Sequence, residues 1–107
     1  MAAEGERVVA RCRELAGVTE EEGRLTRWFA GPAMARANAL VGRWMAEAGM
    51  ATRTDAAGNL VGRLPGSDPE RGTLLLGSHL DTVRDAGAFD GPLGVIAAIE
   101  CVARLPR

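Results

Sequence analysis

Thr73-Leu74-Leu75-Leu76-Gly77-Ser78, followed directly by His79-Leu80-Asp81, is the stretch that decides the fold. A nearly unbroken apolar run reads as a strand covered on both faces, and such strands belong to the sheets of α/β proteins. Downstream, Pro92 opens a helical pattern in which Leu93, Ile96, Ala97, Ile99 and Val102 recur, predicting a helix from Pro92 to about Arg104. A strand-loop-helix unit calls for a parallel neighbour, and the sequence reaches Arg107 where that strand would begin. The 107 residues are therefore expected to be a fragment or a truncated product.

Upstream of that unit, Val8, Val9, Cys12, Leu15 and Ala16 repeat at three-to-four spacing and predict an amphipathic helix ending at Gly17. A polar segment leads from there to Gly31-Pro32, a helix start, since proline in the first turn loses no hydrogen bond. Met34, Ala37, Val41, Trp44, Met45 and Ala48 trace one face of a second helix, with Gly49 as its left-handed stop. Ala51–Thr54 and Leu60–Leu64 flank the turn chemistry of Asp55-Ala56-Ala57-Gly58-Asn59, so a β-hairpin is expected. The predicted order is helix, helix, strand, strand, strand, helix, within one domain.

Composition narrows the function classes. With 13 basic and 14 acidic residues the formal charge is -1, and no basic block could neutralise a run of phosphates, which argues against nucleic acid. No apolar stretch suits a signal peptide or reaches the length of a membrane span. Cys12 and Cys101 each fall in an apolar helical pattern and are expected to be buried thiols, which suggests a reducing, cytoplasmic setting.

The chemistry concentrates between Gly77 and Val95, around the single histidine of the chain. In open α/β sheets ligands gather at the carboxyl ends of strands, where His79 falls. If the chain stays extended, His79 and Asp81 point to the same side, because side chains alternate with period two. A carboxylate there can accept from one imidazole nitrogen while the other binds a metal ion. Asp90 lies in a glycine-flanked turn that can bring its carboxylate beside His79, and a carboxylate can bridge two divalent ions that activate a water. Spacing alone also permits a structural His–Asp pair, a helix cap at Asp90, and turn roles for Thr82 and Asp85.

Gly77-Ser78-His79-Leu80-Asp81-Thr82-Val83, continuing through Gly87-Ala88-Phe89-Asp90-Gly91-Pro92-Leu93-Gly94-Val95, resembles the metal motif of the M20 metallopeptidase family. The short loop before Asp90 and its Phe-Asp-Gly-Pro-Leu-Gly setting are similar to the amidase branch, which holds allantoate amidohydrolases, N-carbamoyl-L-amino acid hydrolases and β-ureidopropionases. Glu21–Arg27 and Asp55–Leu60 resemble the same branch. The resemblance implies the N-terminal part of a three-layer α/β/α zinc-peptidase-like catalytic domain, spanning residues 1–107. It makes His79 a terminal ligand of one metal ion, Asp90 the bridging ligand and Asp81 the residue that orients His79.

It further implies two divalent ions (zinc, manganese, nickel or cobalt) and hydrolysis of a non-peptide carbon–nitrogen bond in a small ureido or carbamoyl substrate. Allantoate leads among these, in an enzyme expected to be a homodimer. The family's Glu-Glu pair, its two further histidines and its lid or dimerisation domain have no counterpart here, and Glu20-Glu21-Glu22 stands in the wrong context. The 107 residues alone are thus expected to lack turnover. An aminoacylase or dipeptidase of the same superfamily, or a non-catalytic remnant, are the competing readings.

Overall fold

A computed structural model describes residues 2–106. The elements are α1 (Ala2–Ala16), α2 (Pro32–Glu47), β1 (Ala51–Thr54), β2 (Leu60–Arg63) and α3 (Pro92–Ala103). The chain is a mixed α/β structure.

The first helix extends N-terminal of the predicted apolar stripe and buries Cys12 and Leu15. Helix α2 starts at Pro32 and buries Ala33, Met34, Ala37, Leu40, Val41 and Trp44. Its N-cap, Gly31, has no side chain to offer, so a distant group substitutes: Glu20 Oε1 accepts the Ala33 N–H at 3.0 Å. A carboxylate at this end also complements the helix dipole. At the other end Gly49 takes a left-handed φ of 94°.

The hairpin is antiparallel, pairing Ala51 with Arg63 and Thr54 with Leu60. Asp55 closes its turn: Oδ1 accepts the N–H groups of Ala57 and Asn59, each at 2.9 Å, and Oδ2 accepts from Asn59 Nδ2 at 3.0 Å. These donors, the Asn59 side chain first, hold the Asp55 carboxyl below the usual carboxylate range. Both strands pack on α2, and α3 packs on α1 and α2. One apolar cluster results, built from Cys12, Leu15, Ala37, Leu40, Val41, Trp44, Ala48, Met50, Ile96 and Ile99.

Two expectations fail. The 73–78 run forms no strand among the described residues, and Leu74 and Leu75 are 85% and 84% exposed. A strand exists only through its neighbours; here β1 and β2 pair with each other, and no described segment pairs with the run as a strand. Its hydrophobicity specifies a covered environment that these residues do not provide. Cys101 is the second failure: Cys12 is buried as expected, but Cys101 is exposed, because α3 turns Ile96, Ile99 and Glu100 inward instead. Burial pushes the Cys12 thiol pKa up, as expected for an inert core thiol. No helix of the described residues is long and apolar enough to cross a membrane.

Candidate metal centre

Residues 79–86 belong to no helix or strand, yet they are fixed in place by the segment between α1 and α2. The Thr19 hydroxyl organises that segment, accepting the N–H groups of Thr26 at 2.8 Å and Glu21 at 3.2 Å. Leu25–Arg27 then runs beside residues 82–86. Thr82 N–H donates to the Arg27 carbonyl at 2.8 Å, and Arg27 N–H returns a bond to Thr82 Oγ1 at 2.9 Å. Ala86 N–H reaches the Leu25 carbonyl at 2.8 Å, and Asp85 N–H the Thr26 hydroxyl at 3.0 Å.

Asp85 adopts a left-handed φ of 55° and is a turn residue as expected; Thr82 instead belongs to this clamp. Outside it, Arg84 pairs with Glu21 at 3.0 Å, and the Glu21 carboxyl is held below its ordinary range by Arg84 first and the Thr26 hydroxyl second.

The Arg27 side chain is fully buried. Its Nε donates to the Leu80 carbonyl at 2.8 Å, and Nη1 donates to the carbonyls of Leu15 at 3.0 Å and Val18 at 2.6 Å. One guanidinium therefore ties the C-terminal end of α1 to the residue between His79 and Asp81. Burial lowers the arginine pKa, and the negative charge of Asp81 opposes that shift. The group remains a cation, since arginine does not deprotonate in proteins.

His79 Nδ1 lies 2.9 Å from the main-chain oxygen of Asp81 and 3.5 Å from its Oδ1. The nearer acceptor is thus the carbonyl, not the carboxylate that the sequence suggests. A carbonyl can only accept, so in the neutral ring the hydrogen-bond network assigns the proton to Nδ1 and leaves the Nε2 lone pair available. His79 and Asp81 are both partly open to solvent.

Asp90 approaches through its neighbour. Gly91 takes a φ of 102° and sits against the imidazole so closely that a Cβ there would lie 2.6 Å from His79 Nδ1 and 2.8 Å from its carbonyl oxygen. Ser78 Oγ, donating to the Gly91 carbonyl at 2.9 Å, fastens the same junction. The helix-cap alternative for Asp90 falls away: Gly91 is the N-cap of α3 and no side-chain cap bond is made. The Asp90 residue is exposed.

An imidazole nitrogen and a carboxylate are donors that suit zinc or a similar divalent ion. A catalytic zinc ordinarily takes three protein ligands. Among the described residues no group of three or more His, Cys, Asp or Glu is placed to hold an ion, so the donor types fit a metal site and their number supplies part of one.

Arg27, Thr26, Glu21 and the clamp role of Thr82 were not legible as site residues. A buried arginine in an irregular segment has no periodicity to betray it, and the only signal was the family-like Glu21–Arg27 wording.

Comparison with known proteins bears on this geometry. A model described as Peptidase family M28 matches residues 59–107, the stretch containing His79, Asp81 and Asp90. Allantoate deiminase 1 of Glycine max is 47% identical over 94 residues, covering 88% of this chain and 20% of that protein. The N-carbamoyl-L-amino acid amidohydrolase of Geobacillus stearothermophilus is 46% identical, covering 92% of this chain and 24% of that one. A solved hydantoinase/carbamoylase family amidase from Burkholderia ambifaria superposes with a TM-score of 0.82 at 37% identity, over 92% of this chain and 24% of its own. This chain is related to the carbamoylase-type amidases. The matched family model carries the M28 description, while the named relatives are those of the amidase branch that the Gly77–Val95 wording resembles. The chain spans about a fifth to a quarter of the length of these amidases.

Proposed function

We propose that residues 1–107 form the N-terminal portion of the catalytic domain of a two-metal amidohydrolase that cleaves a non-peptide carbon–nitrogen bond in a ureido or carbamoyl compound, with allantoate the leading substrate. The observation that carries this reading is the His79–Asp81–Gly91 junction: an imidazole whose Nδ1 is engaged, whose Nε2 is available, and whose ring is packed against the residue after Asp90. Its support from kinship is the set of relatives named for allantoate and N-carbamoyl amino acids.

In this reading His79 Nε2 is a terminal ligand, the Asp90 carboxylate is the bridging ligand, and Asp81 orients the imidazole. Two divalent ions (zinc, manganese, nickel or cobalt) would supply a water acidified toward neutrality. The chain's own residues position the His79 imidazole before any ion arrives: the clamp of 25–27 on 82–86 sets the path of the backbone, and Gly91 sets the separation of loop and imidazole. A cytoplasmic location and a homodimer belong to the same proposal.

The test is enzymatic. The open reading frame containing these residues, extended past Arg107 and expressed with zinc or manganese, should hydrolyse allantoate or N-carbamoyl amino acids. Cleavage of dipeptides alone would replace this reading with that of an aminoacylase or dipeptidase, and an authentic stop codon after Arg107 would favour a non-catalytic remnant.

A further inference from the structure

We infer that Arg27 is the positioning residue of this site: it sets the tautomer and aim of His79 without touching a metal ion or substrate. This rests on the metal reading above for its purpose, and on geometry for its substance.

Both residues that flank Asp81 are bound to Arg27. Leu80 is held through its carbonyl by the guanidinium Nε, at 2.8 Å. Thr82 is held twice by the Arg27 main chain, its N–H donating to the carbonyl and its Oγ1 accepting from the N–H. Both peptide units around Asp81 are thus tethered to Arg27, the Leu80 carbonyl by its side chain and the Thr82 N–H by its main chain, and the Asp81 carbonyl, which shares a peptide plane with that N–H, accepts from His79 Nδ1. The tautomer of the imidazole follows from the direction of this one oxygen.

The side chain is committed to the task from the other end as well. Nη1 binds the Leu15 and Val18 carbonyls at the end of α1, so the anchor of the loop is the helical core. Nη2 is buried without a hydrogen-bond partner among the described residues. Lysine offers three donors from a single atom, whereas the planar fork of arginine serves Leu80 in one direction and Leu15 with Val18 in another. The negative charge of Asp81 favours the charged guanidinium, against the burial that lowers its pKa.

His79 is the single histidine of the chain, which makes the test direct. Long-range proton–nitrogen correlation spectra of the nitrogen-15-labelled chain, recorded where the imidazole is neutral, should show the Nδ1–H tautomer predominant in the wild type. Arg27→Lys should shift the majority to Nε2–H. Thr82→Val, which removes one acceptor and leaves the guanidinium in place, should shift it partway. Ile99→Val, a core change remote from the loop, should leave the tautomer as in the wild type even though it lowers stability.

A wild-type imidazole found mainly as Nε2–H overturns the inference, as does a folded Arg27→Lys chain that keeps the wild-type tautomer. If Arg27→Lys does not fold, Thr82→Val tests the main-chain half of the same tether, and a wild-type tautomer there overturns the inference. A parallel zinc titration keeps the two proposals apart. Wild-type zinc binding at His79 with an indifferent Arg27 refutes the positioning role alone. Tautomer shifts as stated, with His79 ring resonances that stay sharp at every zinc concentration, refute the metal reading alone.

Discussion

The Glu100 carboxylate on α3 grips the Arg7 guanidinium on α1 through two hydrogen bonds, Nε to Oε2 at 3.0 Å and Nη2 to Oε1 at 2.5 Å. Glu100 is buried and Arg7 is half-exposed. The hydrogen bonds from Arg7 hold the Glu100 carboxyl below its ordinary range, against the desolvation that would raise it. A folded pKa below the unfolded value, about 4.3 for glutamate, means stability that is present above that pH and lost as pH falls through the folded pKa. Glu100→Gln should therefore be less stable than wild type at neutral pH, and the gap should close as the medium is acidified below about pH 4. Urea midpoints across that range check it; two parallel profiles would show that the pair contributes no pH-dependent stability.

Gly91 is the tightest junction of the candidate site. Its φ of 102° disfavours any side chain, and a Cβ there would run into His79. Gly91→Ala should cost about 1–2 kcal/mol from the backbone conformation alone, plus the displacement of the imidazole. Gly87 faces open space and has no positive φ, so Gly87→Ala serves as the neutral control. Denaturant midpoints that agree for the two variants would contradict this account of the 79–91 contact.

Much of the fold could be read from local rules because local rules built it. The apolar stripe Met34–Ala48 between Pro32 and Gly49 is α2, and the Asp55–Asn59 turn chemistry is the hairpin. What misled was a local pattern whose meaning is non-local: Leu74–Leu76 is apolar enough for a central strand, but a strand requires partners, and no described residue pairs with it. The site divides the same way. His79, Asp81 and Asp90 stood out by residue type and spacing, whereas Arg27, which braces the loop they stand on, acts through main-chain carbonyls that any sequence possesses.

Leu75 tests the consequence of that misreading. It is 84% exposed, in an apolar run without ladder partners, and unpaired extended apolar segments are templates for self-association. Leu75→Glu should leave the unfolding midpoint within about 0.5 kcal/mol of wild type, as surface changes do, while lowering the light scattered by concentrated samples. A loss of several kcal/mol would mean that the run is covered in solution.

The metal reading makes a prediction about the isolated chain that does not depend on turnover. Two protein donors fall short of the three a catalytic zinc usually has, so the wild type should not bind zinc stoichiometrically at micromolar concentrations, although weak binding should broaden the His79 ring resonances. Asp90→Asn should lessen that broadening, since an amide is a poorer donor than a carboxylate. Asp85→Asn is the comparison of equal charge: Asp85 sits in a turn and tolerates asparagine at its left-handed φ, so binding should persist. Equal losses in the Asp85 and Asp90 variants would reduce Asp90 to a generic surface charge. Tight binding by the wild type would mean instead that a third donor closes around His79 once the ion is present.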